Sequence, residues 1–405
     1  MKGTMMIKER LKHAVCGIVM AAMACFPAIA FGQDGDGGKG RQLSGWDNPV
    51  VSPVAEAGGK VTFSLSAPGA KNVELSGQFM QGRRPMMKGE DGVWRISMDI
   101  APADIYPYSF VVDGVEISDP SNPLTFPNER FKASLLVMPS EDALYMPQAD
   151  VPGGQVRYIT YYSKRMKAFR PLLVYTPAGY DASQGKDYPV LYLISGTTDT
   201  EETWFKVGRA NVIADRLIAE GQAAEMLIVM PYGYMPAYGT PNPSSTRSAD
   251  MYADFTAELT EEIMPFVERE FRVRQDREDR VVAGFSRGGG QALFTAFSHP
   301  DLFSAVGAYA AYLMPEVMDA HFASLFGDAA RANSLFRLKW FGVGSDDFLR
   351  PGVEAHLRYF DQKGITYKLF PTGGGHTWMN ARAYLAETLP LFFPGKKADG
   401  SSHSN

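Results

Sequence analysis

The chain has 405 residues, of which 45% are hydrophobic and 21% charged, and a formal net charge of -5. This length exceeds what one compact core usually holds, so we expect two domains with the composition of an ordinary soluble globular protein. A moderately acidic chain without a cluster of lysine and arginine is unsuited to binding nucleic acid, which excludes that class of partner.

The first thirty residues have the pattern of an export signal. Basic residues precede an apolar run over positions 14–26, and the sequence AIA at 28–30 has the small residues of a cleavage site. The run is shorter than the ~20 residues of a membrane-spanning helix, so we expect a periplasmic or secreted protein with no transmembrane segment after cleavage. Cys25 leaves a second interpretation open, in which the chain is lipidated and tethered to a membrane.

Cysteine usage limits the chemistry of the exported form. The two cysteines, Cys16 and Cys25, both lie within the signal. Cleavage after Ala30 therefore excludes thiol catalysis, a cysteine-bound metal and disulfide bonds in the mature chain.

Hydrophobic periodicity divides the remaining chain into two regions with different patterns. From about residue 50 to 138 apolar residues recur at every second position between turn sequences, which predicts a small antiparallel β-sandwich of immunoglobulin-like type. Further along, apolar strands alternate with amphipathic helices, which predicts a mostly parallel sheet covered by helices. The predicted segments are a signal (1–30), a flexible lead-in (31–47), the β-sandwich (48–140), a linker (141–157), the α/β domain (158–395) and a disordered tail (396–405).

The stretch RVVAGFSRGGG, residues 280–290, contains the pattern G-x-S-x-G centred on Ser286. In such a strand-to-helix turn the hydroxyl is raised above the sheet at a helix N-terminus, whose dipole favours developing negative charge. A glycine-rich helix entry with a capping serine would share the local pattern. The apolar strand before it and the helical pattern QALFTAF after it favour a nucleophile.

A serine nucleophile needs a base, and the chain order for this turn is serine, acid, histidine. Position favours His376, which follows a predicted strand in KLFPTGGGHTW and so lies at the sheet edge where Ser286 is expected. The other histidines lie in the signal, in the tail, before any suitable acid or in predicted helices: His13, His403, His299, His321 and His356.

The acid should lie between the serine and the histidine in the chain. In LKWFGVGSDDFL a strand ends at Asp346 and Asp347, and the residues alone leave both open. The donors to a tetrahedral oxyanion are predicted to be two backbone N–H groups, that of Arg287 after the nucleophile and that of Thr197 on the loop after YLIS.

Aromatic residues near the same edge are candidates for a substrate wall. Tyr232, Tyr234 and Tyr238 follow a predicted strand, and Trp378 is close to the base. Such rings can contact a flat aromatic acyl group or the face of a sugar, and core packing explains any single one equally well.

Taken together, four stretches resemble a known group of enzymes. YLISGTTDTEETW, VVAGFSRGGG, GVGSDDFL and FPTGGGHTW, in this order within about residues 155–394, are similar to motifs of the feruloyl and acetylxylan esterases of carbohydrate esterase family 1. The resemblance implies an α/β-hydrolase fold, with Ser286 as nucleophile, His376 as base and the second aspartate, Asp347, as acid. No metal or organic cofactor is required by this chemistry.

Two positions depart from the family's common pattern, Ser195 in place of a histidine and Arg287 in place of a methionine. Both bear on the shape of the pocket rather than on the triad. The N-terminal region is similar to the immunoglobulin-like modules of the starch-binding type that precede such esterases and enterochelin esterases. Trp94 alternates with core residues there, so we expect it to be buried rather than to form a sugar platform.

The sequence therefore predicts an exported serine esterase that removes acyl groups, foremost feruloyl groups, from plant cell-wall polysaccharide such as arabinoxylan. Its expected partner is a small or polysaccharide-linked hydroxycinnamoyl or acetyl ester. Acetylxylan esterase and enterochelin-type trilactone esterase are the alternatives within the same chemistry. A non-catalytic carbohydrate-binding protein is the alternative outside it.

Overall fold

The computed structural model describes residues 50–56, 58–140, 143–234 and 249–395, the side chains of 249 and 250 excepted. The predicted signal, lead-in and tail lie outside these residues, as do Cys25 and Tyr238. Pro49–Asn405 form one compact unit. Of the helices in the described ranges, none is both long and apolar enough to cross a membrane.

The N-terminal part consists of antiparallel sheets, as the period-two pattern predicts. One sheet has the order β1-β2-β6-β5, and the other has the order β4-β3-β7-β8 with β9 paired to β7. The strands are β1 (Val54–Ala55), β2 (Lys60–Ser66), β3 (Val73–Gly77), β4 (Arg83–Pro85), β5 (Met87–Lys88), β6 (Val93–Asp99), β7 (Ile105–Val112), β8 (Val115–Ile117) and β9 (Ser134–Val137).

The core of this part is built from the alternating residues that the sequence singled out. Phe63, Leu75 and Phe110 are fully buried in one cluster. Trp94 belongs to the same cluster, and its indole N–H donates to the carbonyl oxygen of Ala67 at 2.9 Å. The expectation that Trp94 is a core residue is confirmed.

The N-terminal sheets also pack on the rest of the chain, which the period-two pattern does not show. Strand β7 is buried on both faces. Its residue Ile105 and Leu135 of the neighbouring strand β9 belong to a hydrophobic core of the α/β region. Arg382 of that region is buried and donates to the carbonyl oxygen of Ile105 at 3.2 Å and to the carboxylate of Asp104. Apolar and charged contacts therefore fix the β region against the α/β region.

The α/β region has a sheet of the order β10-β11-β13-β12-β14-β15-β16-β17, in which β10, β11 and β13 pair antiparallel and the pairs from β13–β12 onward are parallel. The predicted fold class, antiparallel β followed by a mostly parallel α/β sheet, is confirmed. The strands are β10 (Gln155–Ser163), β11 (Ala168–Thr176), β12 (Val190–Ile194), β13 (Leu227–Pro231), β14 (Arg280–Phe285), β15 (Ala305–Tyr309), β16 (Leu338–Gly344) and β17 (Lys368–Thr372).

Helices cover both faces of this sheet. Alternate residues of β12 enter different cores, Leu191 and Leu193 on one face and Tyr192 and Ile194 on the other. A π-helical turn, Leu259–Ile263, joins the helix that ends at Glu258 to the helix that begins at Met264. The helices are α1 (Thr203–Lys206), α2 (Ala210–Ala219), α3 (Ala249–Glu258), α4 (Met264–Glu270), α5 (Arg287–Ser298), α6 (Pro315–Phe326), α7 (Ala329–Leu335), α8 (Arg350–Lys363) and α9 (Trp378–Phe392).

Four loops meet at one edge of the sheet because they follow parallel strands. They are residues 195–199 after β12, Ser286 after β14, residues 345–349 after β16 and residues 373–377 after β17. Three of these loops hold the predicted nucleophile, acid and base, and the fourth holds Thr197.

Candidate active site

Ser286 occupies the turn between β14 and α5 with φ 57° and ψ -120°. A residue with a side chain is held in such a conformation only when its surroundings require it, at a cost of about 1–3 kcal/mol. The Ser286 N–H donates to the carbonyl oxygen of Tyr309 at 2.8 Å, and its own carbonyl oxygen accepts from the N–H groups of Gly289 and Gly290. The neighbouring strand and the first turn of the helix thus fix the serine backbone.

The glycines on either side of Ser286 are required by close approach of backbone. A Cβ at Gly284 would lie 2.4 Å from the carbonyl carbon of Gly288, and one at Gly288 would lie 2.4 Å from the carbonyl oxygen of Ile194. Neither position admits a larger residue without movement of the sheet or the helix. The G-x-S-x-G pattern therefore reflects a tight crossing of strand, helix and the end of β12.

The imidazole of His376 is held by a buried carboxylate. Its Nδ1 lies 2.8 Å from Oδ2 of Asp347, and the other carboxylate oxygen accepts the N–H of Leu349 at 2.8 Å. Asp346, by contrast, is exposed, and its N–H donates to the carbonyl oxygen of Gly374 at 2.9 Å. That backbone bond joins the loop of Asp347 to the loop of His376. Because Nδ1 faces the carboxylate of Asp347, Nε2 is the ring nitrogen available to a reacting group.

Two aromatic rings lie against the imidazole. The ring of Phe285 stacks on it with centroids 4.6 Å apart and planes 22° apart, and the ring of Phe348 lies 4.7 Å away. Phe285 is buried, whereas 71% of the Phe348 side chain is exposed. The histidine therefore contacts one ring of the core and one ring at the surface.

Ser286 and His376 line one cavity of about 470 Å³. Thr197, Trp378 and Phe348 line it as well. Its volume is in the range of small-molecule sites, and its wall combines aromatic rings with a few polar groups, as is usual for such sites.

The N-terminal β region forms part of the cavity wall. Loop 126–131, between β8 and β9, contributes Phe126, Asn128, Arg130 and Phe131. The cavity is therefore completed by residues from both parts of the chain, and the β region takes part in shaping the site.

The side chain of Arg287 lies behind the site and does not reach the cavity wall. It is 2% exposed, and burial lowers its pKa to about 10, while the nearby carboxylates of Asp199 and Glu129 favour the charged form. The backbone N–H of Arg287 begins helix α5 directly after Ser286. The guanidinium is therefore not part of the cavity wall.

Comparison with known proteins places part of the chain in a family. Residues 163–340 match the family model described as "Putative esterase". This segment is therefore similar to members of that esterase family. It includes Thr197, Ser286 and Arg287 and ends before Asp347 and His376.

Several esterases are similar to this chain. An endo-1,4-beta-xylanase/feruloyl esterase of Xylanibacter ruminicola is 28% identical over 277 residues, which are 66% of this chain and 37% of that protein. The chain thus spans little more than a third of that relative's length. A solved CE1 ferulic acid esterase of Anaeromyces mucronatus, in complex with ferulic acid, is 26% identical with a TM-score of 0.54, covering 62% of this chain and 95% of that one.

A solved enterochelin esterase of Shigella flexneri is 18% identical with a TM-score of 0.61. The match covers 82% of this chain and 92% of that one. At this identity the likeness concerns the fold. The enterochelin esterase and this protein therefore share a fold, and the match includes the N-terminal β region.

The cavity takes in one of the predicted aromatic residues, Trp378, and leaves out Tyr232 and Tyr234. Trp378 lines the cavity as the first residue of α9, and it packs edge-on against Trp204 with centroids 4.9 Å apart. Tyr232 and Tyr234 are buried away from the cavity wall. The Tyr232 ring lies 5.1 Å from the guanidinium carbon of Arg170, and the Tyr234 ring lies 5.5 Å from that of Arg287.

Sequence reasoning missed the cavity residues that come from the β region and from the loop after β16. Phe126, Asn128 and Phe131 lie in a stretch without hydrophobic periodicity, so no local signal marks them. Phe348 directly follows Asp347, and its position next to the predicted acid is the signal that could have identified it.

Proposed function

We propose that this protein is a serine esterase in which Ser286 is the nucleophile, His376 the general base and Asp347 the acid. One observation carries the proposal: the serine of a strained strand-to-helix turn shares a cavity with a histidine whose far ring nitrogen is held by a buried carboxylate. This is the arrangement that lets a neutral hydroxyl act as a nucleophile.

The steps follow from the placement of these groups. Oγ of Ser286 attacks the ester carbonyl carbon while Nε2 of His376 takes the hydroxyl proton. Asp347 stabilises the resulting imidazolium through Nδ1, and the imidazolium then protonates the leaving alcohol. Water, deprotonated by His376, attacks the acyl-enzyme in the second half and releases the acid and Ser286.

The oxyanion is stabilised by the N–H groups of Arg287 and Thr197. The N–H of Gly196, one residue earlier, is already bonded to Oδ2 of Asp199 at 3.0 Å, so Thr197 is the next donor that this loop offers. The N-terminus of helix α5 adds a favourable dipole. Loss of one such donor lowers kcat by about 10²–10³-fold in serine hydrolases.

The acyl group is proposed to be a hydroxycinnamate such as ferulate, esterified to a plant cell-wall polysaccharide. Phe126, Phe131 and Phe348 line the cavity around Ser286, and a flat aromatic acyl group stacks favourably on such rings. The similarity to feruloyl esterases supports the same substrate class.

A panel of esters tests this proposal. Wild-type protein should release ferulate from methyl ferulate and from feruloylated arabinoxylan, and Ser286→Ala should retain no more than a trace of either activity. Greater kcat/KM on acetylated xylan, or on the trilactone enterochelin, would replace the feruloyl assignment by that alternative. An absence of turnover on all of these esters and on 4-nitrophenyl acetate would contradict the esterase proposal itself.

Export is part of the same proposal, since polysaccharide lies outside the cell. Its support is the basic and apolar pattern of residues 1–30. N-terminal sequencing of protein recovered from the culture medium or periplasm should begin after Ala30. A lipid-modified chain that begins at Cys25 would replace cleavage at Ala30 by membrane tethering.

A further inference from the structure

A buried amide and a buried carboxylate join two loops that line the cavity, one from the β region and one from the α/β region. Nδ2 of Asn128 donates to Oδ1 of Asp199 at 2.9 Å, and the side chains are 7% and 4% exposed. Asn128 lies on loop 126–131 of the β region, whereas Asp199 lies on loop 195–199 after β12. A backbone bond from the N–H of Glu129 to the carbonyl oxygen of Thr198, at 2.8 Å, runs beside this pair.

Each partner also organises its own loop. Oδ1 of Asn128 accepts the N–H groups of Arg130 and Phe131, both at 2.9 Å. Oδ2 of Asp199 accepts the N–H of Gly196 at 3.0 Å. The pair therefore fixes the backbone directly before Thr197 and the backbone that carries Arg130 and Phe131 into the cavity.

We propose that Asn128 and Asp199 are positioning residues for the esterase reaction. Through the pair, the β region sets the position of the Thr197 N–H at the oxyanion and aims the side chains of 130 and 131 at the acyl group. This inference rests on the proposed function, since it assigns the pair to an oxyanion loop. On this inference, the N-terminal β region takes part in catalysis by positioning groups of the catalytic site.

The surrounding charges favour the arrangement in which Asn128 donates the hydrogen bond and an ionised Asp199 accepts it. Burial raises the pKa of Asp199 to about 7, while the hydrogen bond from Asn128, the charge of Arg287 and the N–H of Gly196 favour its ionised form. The guanidinium nitrogens of Arg287 are buried and have no hydrogen-bond partner among the described residues. Arg287 therefore provides charge behind Asp199 without competing for its oxygens.

Exchanging the two side chains tests positioning against a general structural role. In Asn128→Asp two carboxylates face each other, and in Asp199→Asn an amide N–H₂ faces another. In the double variant, which carries both substitutions, the carboxylate at position 128 accepts the N–H groups of 130 and 131 and the amide N–H₂ at position 199. The amide oxygen at position 199 then accepts the N–H of Gly196. All four hydrogen bonds are restored with the polarity of the pair reversed.

We expect each single variant to lower kcat on methyl ferulate by about 10²-fold, because small displacements of oxyanion donors have effects of this size. The double variant should recover to within about tenfold of the wild-type kcat. Hydrogen exchange of the amides in 126–131 and 195–199 should rise in both single variants and return toward wild type in the double variant. Asn122→Asp, a matched change at a buried asparagine of the β region outside the cavity, should leave kcat unchanged.

Wild-type kcat in the folded single variants would overturn the inference. So would a folded double variant as impaired as the singles. If Asn128→Asp fails to fold, the isosteric Asp199→Asn and the double variant still provide the comparison. Wild-type protein that hydrolyses no ester would contradict the proposed function instead, and exchange in the two loops would then still report whether the pair couples them.

Discussion

Asp347 and Asp346 are adjacent in sequence, yet only Asp347 reaches the histidine: its Oδ2 lies 2.8 Å from Nδ1 of His376, while the Asp346 side chain is exposed. The Asp347 side chain is nearly fully buried in this contact. The pair of aspartates therefore offers an internal comparison between a carboxylate that contacts the histidine and one that does not.

Asp347→Asn should lower kcat by about 10³–10⁴-fold, because an amide no longer holds the imidazole in the tautomer that accepts the serine proton. Steady-state hydrolysis of methyl ferulate measures the effect. Asp346→Asn is the matched control and should retain most of the wild-type kcat. Equal losses in the two variants would show that Asp347 has no special role.

Gly288→Ala should destabilise the fold by about 3 kcal/mol, because its Cβ would lie 2.4 Å from the carbonyl oxygen of Ile194. Urea unfolding followed by circular dichroism gives the free energy of unfolding. Gly373→Ala, where an added Cβ meets no atom within 4 Å, is the control and should change stability by no more than about 0.5 kcal/mol. A stable Gly288→Ala variant would disprove the tight crossing at the serine turn.

Phe348→Ala should raise KM for methyl ferulate about fivefold with a smaller effect on 4-nitrophenyl acetate, because an aromatic contact contributes about 1 kcal/mol to binding a flat acyl group. Initial rates on both esters measure the ratio. Phe169→Ala is the control, since Phe169 is similarly exposed but lies outside the cavity. A uniform loss on both esters would indicate that Phe348 supports His376 rather than the acyl group.

His356 should make the protein lose stability in mild acid. It is fully buried between Phe341 and Phe360, its Nδ1 lies 3.1 Å from the N–H of Leu313, and burial lowers its pKa to about 4 from 6.5. The unfolded chain binds the proton first, so stability is full above about pH 6.5 and falls as pH decreases toward 4, by about 3 kcal/mol.

The pH dependence of unfolding checks this assignment. His356→Gln should remove most of the loss between pH 6.5 and 4 relative to wild type, while lowering stability at pH 7. His321→Gln, at an exposed histidine, is the control and should leave the pH dependence as in wild type. An unchanged slope in His356→Gln would show that other groups cause the acid sensitivity.

The parts of the site that depend on local signals could be predicted from the sequence. The turn at Ser286 needs glycines at fixed offsets between a strand and a helix, and the loops of Asp347 and His376 directly follow strands. Parallel strands bring such loops to one edge, so their proximity follows from the topology. The structure shows the contact between His376 and Asp347, while the catalytic roles stay predictions.

The remaining parts of the site depend on contacts between residues that are far apart in the sequence. Asn128 and Asp199 are separated by 71 positions, and neither lies in a periodic or glycine-rich motif. The position of Tyr232 and Tyr234 directly after β13 makes them candidates for the substrate wall. Buried Arg170 donates to the carbonyl oxygens of Tyr232 and Tyr234, at 2.8 Å each, and so fixes their backbone away from the cavity.

Covalent trapping of the nucleophile tests the central claim most directly. A fluorophosphonate that reacts with activated serines should label the protein once, and trypsin should place the adduct on the peptide VVAGFSR, residues 281–287, whose one serine is Ser286. Ser286→Ala should take up no label while remaining folded. An adduct on a different serine, or ester hydrolysis by protein in which this peptide stays unlabelled, would contradict the account.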